Sequence, residues 1–323
     1  MRAAVVQAVG STPTAADVDE PVREPGSALV AVAAAPLNPV EIRVAAGRHA
    51  KAPQPPYVPG LEGAGTVIES ERLAPGTRVR FESRALPGFG AHGTLAERAA
   101  VREESLAELP GDVDDDLAAA VGVVGITALL ALERAAPLDG ARVLVLGATG
   151  AVGQMAVQLA RAMGASRVVG AGRSAARLER VRELGADDVV ELDGSGLAEA
   201  FEGAAGGQLD VVVDVLWGEP AMAALTVIAP GGRLVNVGQP AGTDVRLPIE
   251  ALRNHQGAVH AISSGWTELT RKAAAYGRVL EHLRAGRLEV DREIVPLAQV
   301  GAAWTRQQES PGKKLVVAVG EAS

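Results

Sequence analysis

The chain has 323 residues, 48% of them apolar and 22% charged, with a net charge of −8 and no cysteine. That length predicts two domains, and the missing thiols exclude disulfides, thiolate metal sites and a cysteine nucleophile. The acidic balance, without any Lys/Arg block, argues against nucleic acid and anionic membranes as partners.

No apolar run reaches the length of a membrane span. The first residues, MRAAVVQAVG, run straight into a strand-like pattern with no cleavable leader, so a cytoplasmic enzyme is expected. The first third is rich in Pro and Gly, and 28–33, 65–68, 78–81 and 95–101 read as short strands between turns. Near Leu117 the character changes: an acidic stretch, Asp112–Asp116, precedes an Ala/Leu/Val segment over 117–136 that reads as one buried helix. From Ala141 to Ile262 strands alternate with helices. The run 143–146 is purely apolar, as in a parallel strand covered on both faces. Next, Val152, Met155, Ala156, Leu159, Ala160 and Met163 recur at helical spacing. Further strands are expected at 167–169, 188–190, 210–213, 234–237 and 259–262. This pattern predicts an α/β fold with a doubly wound parallel sheet. A helix over 271–285 and a strand–helix–strand at 293–297, from about 299, and at 314–319 complete the chain; these short pieces need partners. No internal repeat is visible.

Five histidines remain, His49, His92, His255, His260 and His282, and none is paired with another at i+3 or i+4 as a helical metal motif requires. His49 and His92 fall in loops, where surface exposure is the ordinary outcome. Aromatic residues make up 2% of the chain, so any pocket must be lined chiefly by Ala, Val, Leu and backbone.

The strongest chemical signal is Gly147-Ala148-Thr149-Gly150-Ala151-Val152-Gly153, which follows the 143–146 strand and opens the next helix. A dinucleotide needs its pyrophosphate brought onto a helix N-terminus, where unpaired N–H groups and the positive dipole end stabilise the anion. Glycine is required where a side chain would block that approach. The alternative is a tight βα turn of another α/β protein. Cofactor choice is read at the end of the following strand, where NAD-preferring proteins place an acid. Here the residues are Gly172-Arg173-Ser174, without one. Arg173 can grip a 2′-phosphate, with Ser174 and Arg177 adding contacts, which points to NADPH. Alternatively, Ser174 caps a helix and both arginines are solvated.

Nearly the full length resembles the medium-chain dehydrogenase/reductase superfamily in its zinc-free quinone oxidoreductase branch. The stretches that carry the resemblance are Leu37-Asn38-Pro39-Val40-Glu41, Pro59-Gly60-Leu61-Glu62-Gly63-Ala64-Gly65, Gly125-Ile126-Thr127-Ala128, the Gly147–Gly153 turn with Gln158-Leu159-Ala160, and the Lys-rich last strand. The resemblance implies a GroES-like, β-rich catalytic domain from both chain ends, 1–117 and 263–323, plus a Rossmann domain over 118–262. Zinc-dependent relatives carry His where this chain has Leu61 and use a Cys as first ligand, so the resemblance implies no metal. It implies hydride transfer from NADPH to a small-molecule electron acceptor, a quinone or another conjugated, enone-type system. It also implies roles beside the nicotinamide for Asn38, Thr127 and Gly238. Without the resemblance Asn38 reads as a turn residue, and Thr127 as a helical Thr bonded to its own i−4 carbonyl. Glu62 is read as structural.

Two departures stand out. Arg43 occupies the place of a family Tyr able to donate a proton, and Trp217 sits where relatives usually have Gly, beside the expected cofactor ribose. They raise the weight of an alternative, a reductase of enoyl thioesters or of a C=C or C=N bond in a specialised metabolite. A third reading is a non-enzymatic NADPH-binding protein. Relatives pair through the last Rossmann strand, here near 258–263, so a homodimer is expected.

Overall fold

The protein, described as a computed structural model, is defined over residues 1–49, 52–83 and 92–320. It comprises two units, one of Met1–Val123, Gly265–Leu280 and Val290–Ser323, the other of Val124–Ser264 and Glu281–Glu289.

The first unit begins with an antiparallel ribbon of β1 (Arg2–Val5) and β2 (Thr14–Asp17). There follow β3 (Ser27–Pro36), α1 (Pro39–Ala45), β4 (Glu62–Glu69), β5 (Arg78–Glu82), β6 (Arg98–Arg102), β7 (Ala107–Glu108) and α2 (Asp115–Ala120). Along β3, buried Ala28, Val30, Val32 and Ala34 alternate with half-buried neighbours, the period-two pattern of a strand with one face on a core. The chain passes through α3 (Gly122–Ala135) into the second unit: β8 (Arg142–Leu146), α4 (Ala151–Ala162), β9 (Arg167–Gly172), α5 (Ala175–Glu183), β10 (Asp188–Glu191), α6 (Leu197–Ala205), β11 (Leu209–Asp214), α7 (Gly218–Thr226), β12 (Ile228–Asn236), α8 (Ile249–Asn254) and β13 (Ala258–Ala261). The last elements are α9 (Leu269–Arg284), β14 (Arg292–Pro296), α10 (Val300–Gln308) and β15 (Lys314–Ala318).

In the first unit the main sheet runs β14-β15-β3-β4-β5-β7, with β6 also on β3. Antiparallel pairing of Val316 with Pro36 and Val317 with Ala35 joins the two ends of the chain, which gives the C-terminal strand–helix–strand its partner. Trp304, Phe81, Leu37 and Leu95 fill the core beneath. In the second unit the strands are all parallel in the order β10-β9-β8-β11-β12-β13, a doubly wound sheet whose order reverses between β8 and β11.

Two expectations change. The 117–136 segment is two helices, because Glu62 intrudes between them. Its Oε2 accepts from the Val123 amide at 2.7 Å, and a Cβ on Gly122 would lie 2.0 Å from that oxygen. The strand expected over 95–101 starts at Arg98. Leu95 and Ala96 are instead taken by β1: the Ala4 amide donates to Leu95 O at 2.8 Å and Ala3 bridges Ala96. Among the described residues no helix is long and apolar enough to cross a membrane.

Candidate functional site

β8 is buried along Val143–Leu146, and its end leads into a turn that side chains would obstruct. Gly147 has φ +81°, a conformation an L side chain resists. The Gly147 and Ala148 amides both donate to Ala171 O at 2.9 Å, pinning the turn to β9. A Cβ on Gly153 would lie 2.2 Å from Gly147 O, so glycine alone lets α4 start this close to the strand. The N-cap of α4 is Gly150, with no side-chain cap. The first-turn amides of Ala151, Val152 and Gly153 therefore stand at the positive end of the helix without an intrahelical acceptor. This cradle lies at the reversal of strand order, and its residues fit a pyrophosphate.

Around it the second unit collects most of the other residues singled out by sequence. A Cβ on Gly172, the last residue of β9, would stand 2.7 Å from Thr149 Cγ2. Arg173 is exposed and makes no ion pair or hydrogen bond among the described residues. Ser174 holds the N-cap position of α5, but its hydroxyl makes no cap bond; its carbonyl accepts from the Arg177 and Leu178 amides at 3.0 Å. Arg177 is exposed on the first turn of α5.

On the other side of β8, the strand β11 ends in a carboxylate that sequence reasoning passed over. Asp214 is fully buried; its Oδ1 accepts from the Leu216 and Trp217 amides at 2.9 and 2.8 Å, and its Oδ2 from Asn236 Nδ2 at 2.6 Å. Burial holds its carboxyl above the usual carboxylate range, although these hydrogen bonds pull the other way. An acid closing the apolar run of Val211, Val212 and Val213 was the available signal. Asn236 Nδ2 also donates to Gly238 O at 2.7 Å, binding the end of β12 to the same group. The loop so held packs on the turn: a Cβ on Gly147 would lie 3.1 Å from Leu216 Cδ2, and one on Gly238 2.7 Å from Val215 O. Trp217 has φ 60° and ψ −160°, a region essentially reserved for glycine, which costs about 1–3 kcal/mol for any other residue.

Thr127 is buried in α3, and its hydroxyl donates to Ser264 Oγ at 3.0 Å rather than to its own i−4 carbonyl. Ser264 was not marked in the sequence; a residue 137 positions away offers no local signal.

Asn38 lies in the first unit, inside a buried charge network. It N-caps α1, where its amide donates to Glu41 Oε2 at 3.0 Å; Leu61 N donates to Glu41 Oε1 at 2.7 Å. Lys314 Nζ donates to Asn38 Oδ1 at 2.5 Å, while Asn38 Nδ2 makes longer contacts, 3.3 Å to Glu62 Oε1 and 3.4 Å to Pro36 O. Arg80 bridges Glu62 at 2.8 Å and Glu82 at 3.0 Å, stacks over the Tyr276 ring, and Lys272 closes on Glu82. Three carboxylates thus face three cations out of water. Burial pushes Glu41 up to about 7, against the pull of its two backbone hydrogen bonds and Lys314. Burial lowers Lys314, partly offset by Glu62 and Glu41. Glu82 also feels burial, yet Arg80 and Lys272 hold it below the ordinary range. Arg43 and His92 are exposed.

The side chains present do not fit a zinc ion. Glu62 is already taken by Arg80, Asn38 and the Val123 amide, and no group of three or more His, Cys, Asp or Glu among the described residues is arranged to hold a metal.

Two family models match, one described as a zinc-binding dehydrogenase over residues 151–275, the other as an alcohol dehydrogenase GroES-like domain over residues 24–111. The chain is 31% identical over 235 residues to a quinone oxidoreductase of Lama guanicoe, covering 71% of this chain and 69% of that protein. It is 36% identical over 240 residues to the mycoketide-CoA synthase of Mycobacterium tuberculosis, which is 72% of this chain but only 5% of that much longer protein. The quinone oxidoreductase of Thermus thermophilus, whose structure was also solved in complex with NADPH, superimposes with a TM-score of 0.79 at 32% identity, over 99% of this chain and 100% of that one.

Proposed function

Because the chain belongs to the medium-chain dehydrogenase/reductase superfamily and is similar to quinone oxidoreductases, we propose that it is an NADPH-dependent, zinc-independent reductase of quinones or other conjugated, enone-type acceptors. The observation that carries this reading is the uncapped N-terminus of α4 behind Gly147–Gly153, with unpaired Arg173 at the end of the neighbouring strand. The bound nucleotide supplies a hydride, and the protein's part is placement, charge and exclusion of water.

In this reading the amides of Ala151, Val152 and Gly153 hold the pyrophosphate, with Gly147, Ala148, Thr149 and Gly150 shaping the turn. Arg173 makes a charge-assisted fork to the 2′-phosphate, Ser174 adds its uncapped hydroxyl, Arg177 adds positive potential and Gly172 leaves them room. Gly238 lets the end of β12 approach the nicotinamide. Thr127, its proton committed to Ser264, offers lone pairs to the carboxamide. Lys314 grips the oxygen of Asn38 and leaves Nδ2, with only long bonds to lose, as a donor to the oxyanion that develops on the acceptor. Arg43 stabilises negative charge but is a poor acid at neutral pH.

A second reading, reduction of an enoyl thioester or of a C=C or C=N bond in a specialised metabolite, is favoured by Arg43 in place of a Tyr. Stopped-flow oxidation of NADPH with quinones, enones and a short enoyl-CoA separates the two. Turnover on the first two supports a quinone or enone reductase and turnover confined to the third supports the alternative. Tight NADPH binding with no turnover on any makes the protein a non-enzymatic binder. We also propose a cytoplasmic homodimer built on β13, the last strand of its sheet, which among the described residues pairs only with β12.

A further inference from the structure

We propose that Trp217 is a specificity-determining residue that walls the nicotinamide half of the bound dinucleotide, and that its strained backbone is retained to hold the indole there. The inference rests on the reading of the Gly147–Gly153 cradle as a dinucleotide site.

Strain is the first observation. At φ 60° and ψ −160° a glycine would sit without penalty, whereas a residue with a Cβ is strained. A large aromatic in that conformation persists only if its surroundings over-determine it. They do: the buried Asp214 carboxylate receives the amides of both Leu216 and Trp217, Asn236 locks its other oxygen, and the Ala241 amide donates to Leu216 O at 3.0 Å. Gly218 follows at φ 72°, so close to Ala241 that a Cβ would lie 2.8 Å from its carbonyl oxygen. The fold thus fixes one backbone shape at this loop, and the sequence then places an indole on it.

Position is the second. Trp217 follows β11 directly, beside the turn of β8, where the strand order reverses. Ligands of doubly wound sheets lie across the carboxyl ends of the strands at this point. With Arg173 at the end of β9 on one side of β8 and the phosphate cradle above β8 itself, the nucleotide half reaching over β11 is the one opposite the 2′-phosphate. The indole is half-buried: part of it packs on the apolar cluster of the second unit and the rest remains open. A ring in that place offers a flat face to the C–H edge of a ribose and to the nicotinamide plane, and an Nε1–H to a hydroxyl.

The test is calorimetric titration of the whole protein and its variants with NADPH and with 2′,5′-ADP, which carries the 2′-phosphate but lacks the nicotinamide half. Trp217→Gly is expected to weaken NADPH by about five- to tenfold, the size of one aromatic contact, and to leave 2′,5′-ADP within about twofold. Trp217→Phe is expected to recover most of the loss. Unchanged 2′,5′-ADP binding doubles as proof that the glycine variant is folded. NADPH binding unaltered in Trp217→Gly overturns the proposal, and so does an equal loss for both ligands, which would mean that the indole acts through the shape of the turn. A wild-type protein that binds neither ligand overturns the dinucleotide reading beneath it.

Discussion

Lys314 Nζ donates to Asn38 Oδ1 across 276 residues of sequence, and the contact settles which end of the carboxamide is which. Lysine only donates, so the oxygen must face it and Nδ2 must face Glu62. The two residues sit in a buried network in which Glu62 and Glu41 act electrostatically on Lys314, while Arg80 and Lys272 pair with Glu62 and Glu82. Removing a single partner leaves its neighbours uncompensated. Lys314→Met is expected to destabilise the protein by about 3 kcal/mol, read as a lower urea midpoint at unchanged slope. A loss under about 1 kcal/mol contradicts the account of the network.

Glu41 gives stability a pH dependence of predictable sign. Its folded pKa is raised from 4.5 to about 7, so the folded state binds the proton more tightly than the unfolded chain. Its contribution is fully present below about pH 4.5 and is lost as pH rises toward 7. Asp214, also raised by burial, slopes in the same sense. The difference in unfolding free energy between wild type and Glu41→Gln should therefore shrink steadily from pH 5 to pH 7.5 in urea titrations. A constant difference rejects the assignment.

Arg173 is exposed, so its removal should leave the fold alone. Arg173→Ala is expected to weaken NADPH by ten-fold or more, since a hydrogen bond to a charged group contributes about 1.5–3 kcal/mol, and to leave NADH nearly unchanged. Equal losses in fluorescence titrations with the two nucleotides would mean that Arg173 does not meet the 2′-phosphate.

Thr127 and Ser264 share one hydrogen bond, so their deletions should not add. Thr127→Val and Ser264→Ala are each expected to cost about 1 kcal/mol of stability and the double variant little more than either. A double-mutant cycle in urea measures the coupling. Additive losses show that the hydroxyls do not interact.

Among the described residues the four-residue strand β13 pairs only with β12, which leaves its other edge without a neighbouring strand. Sedimentation equilibrium at micromolar concentration should give twice the chain mass, and Val259→Pro should shift it toward the single chain by removing an amide from that edge. A wild-type protein that sediments as one chain rejects the dimer.

Most of the second unit was legible in the residues. Apolar runs of strand length, the helical spacing from Val152 to Met163, and glycines at 147 and 153 are local patterns, and local sterics make them specific. The break at Val121–Gly122 was not legible, because the carboxylate that causes it arrives from β4, some sixty residues earlier. The same holds for the bent use of Leu95, which β1 recruits.

The amino-acid order alone established a doubly wound sheet, a glycine turn between β8 and α4, and no acid but an arginine at the end of the following strand. Those depend on backbone geometry and side-chain periodicity within a few residues. Partnerships over long separations came only with the folded chain: Lys314 with Asn38, Thr127 with Ser264, and Glu62 with the Val123 amide. Hydrogen bonds and buried charges are specified by where atoms meet in space, and no period in the sequence encodes a meeting between residues that far apart.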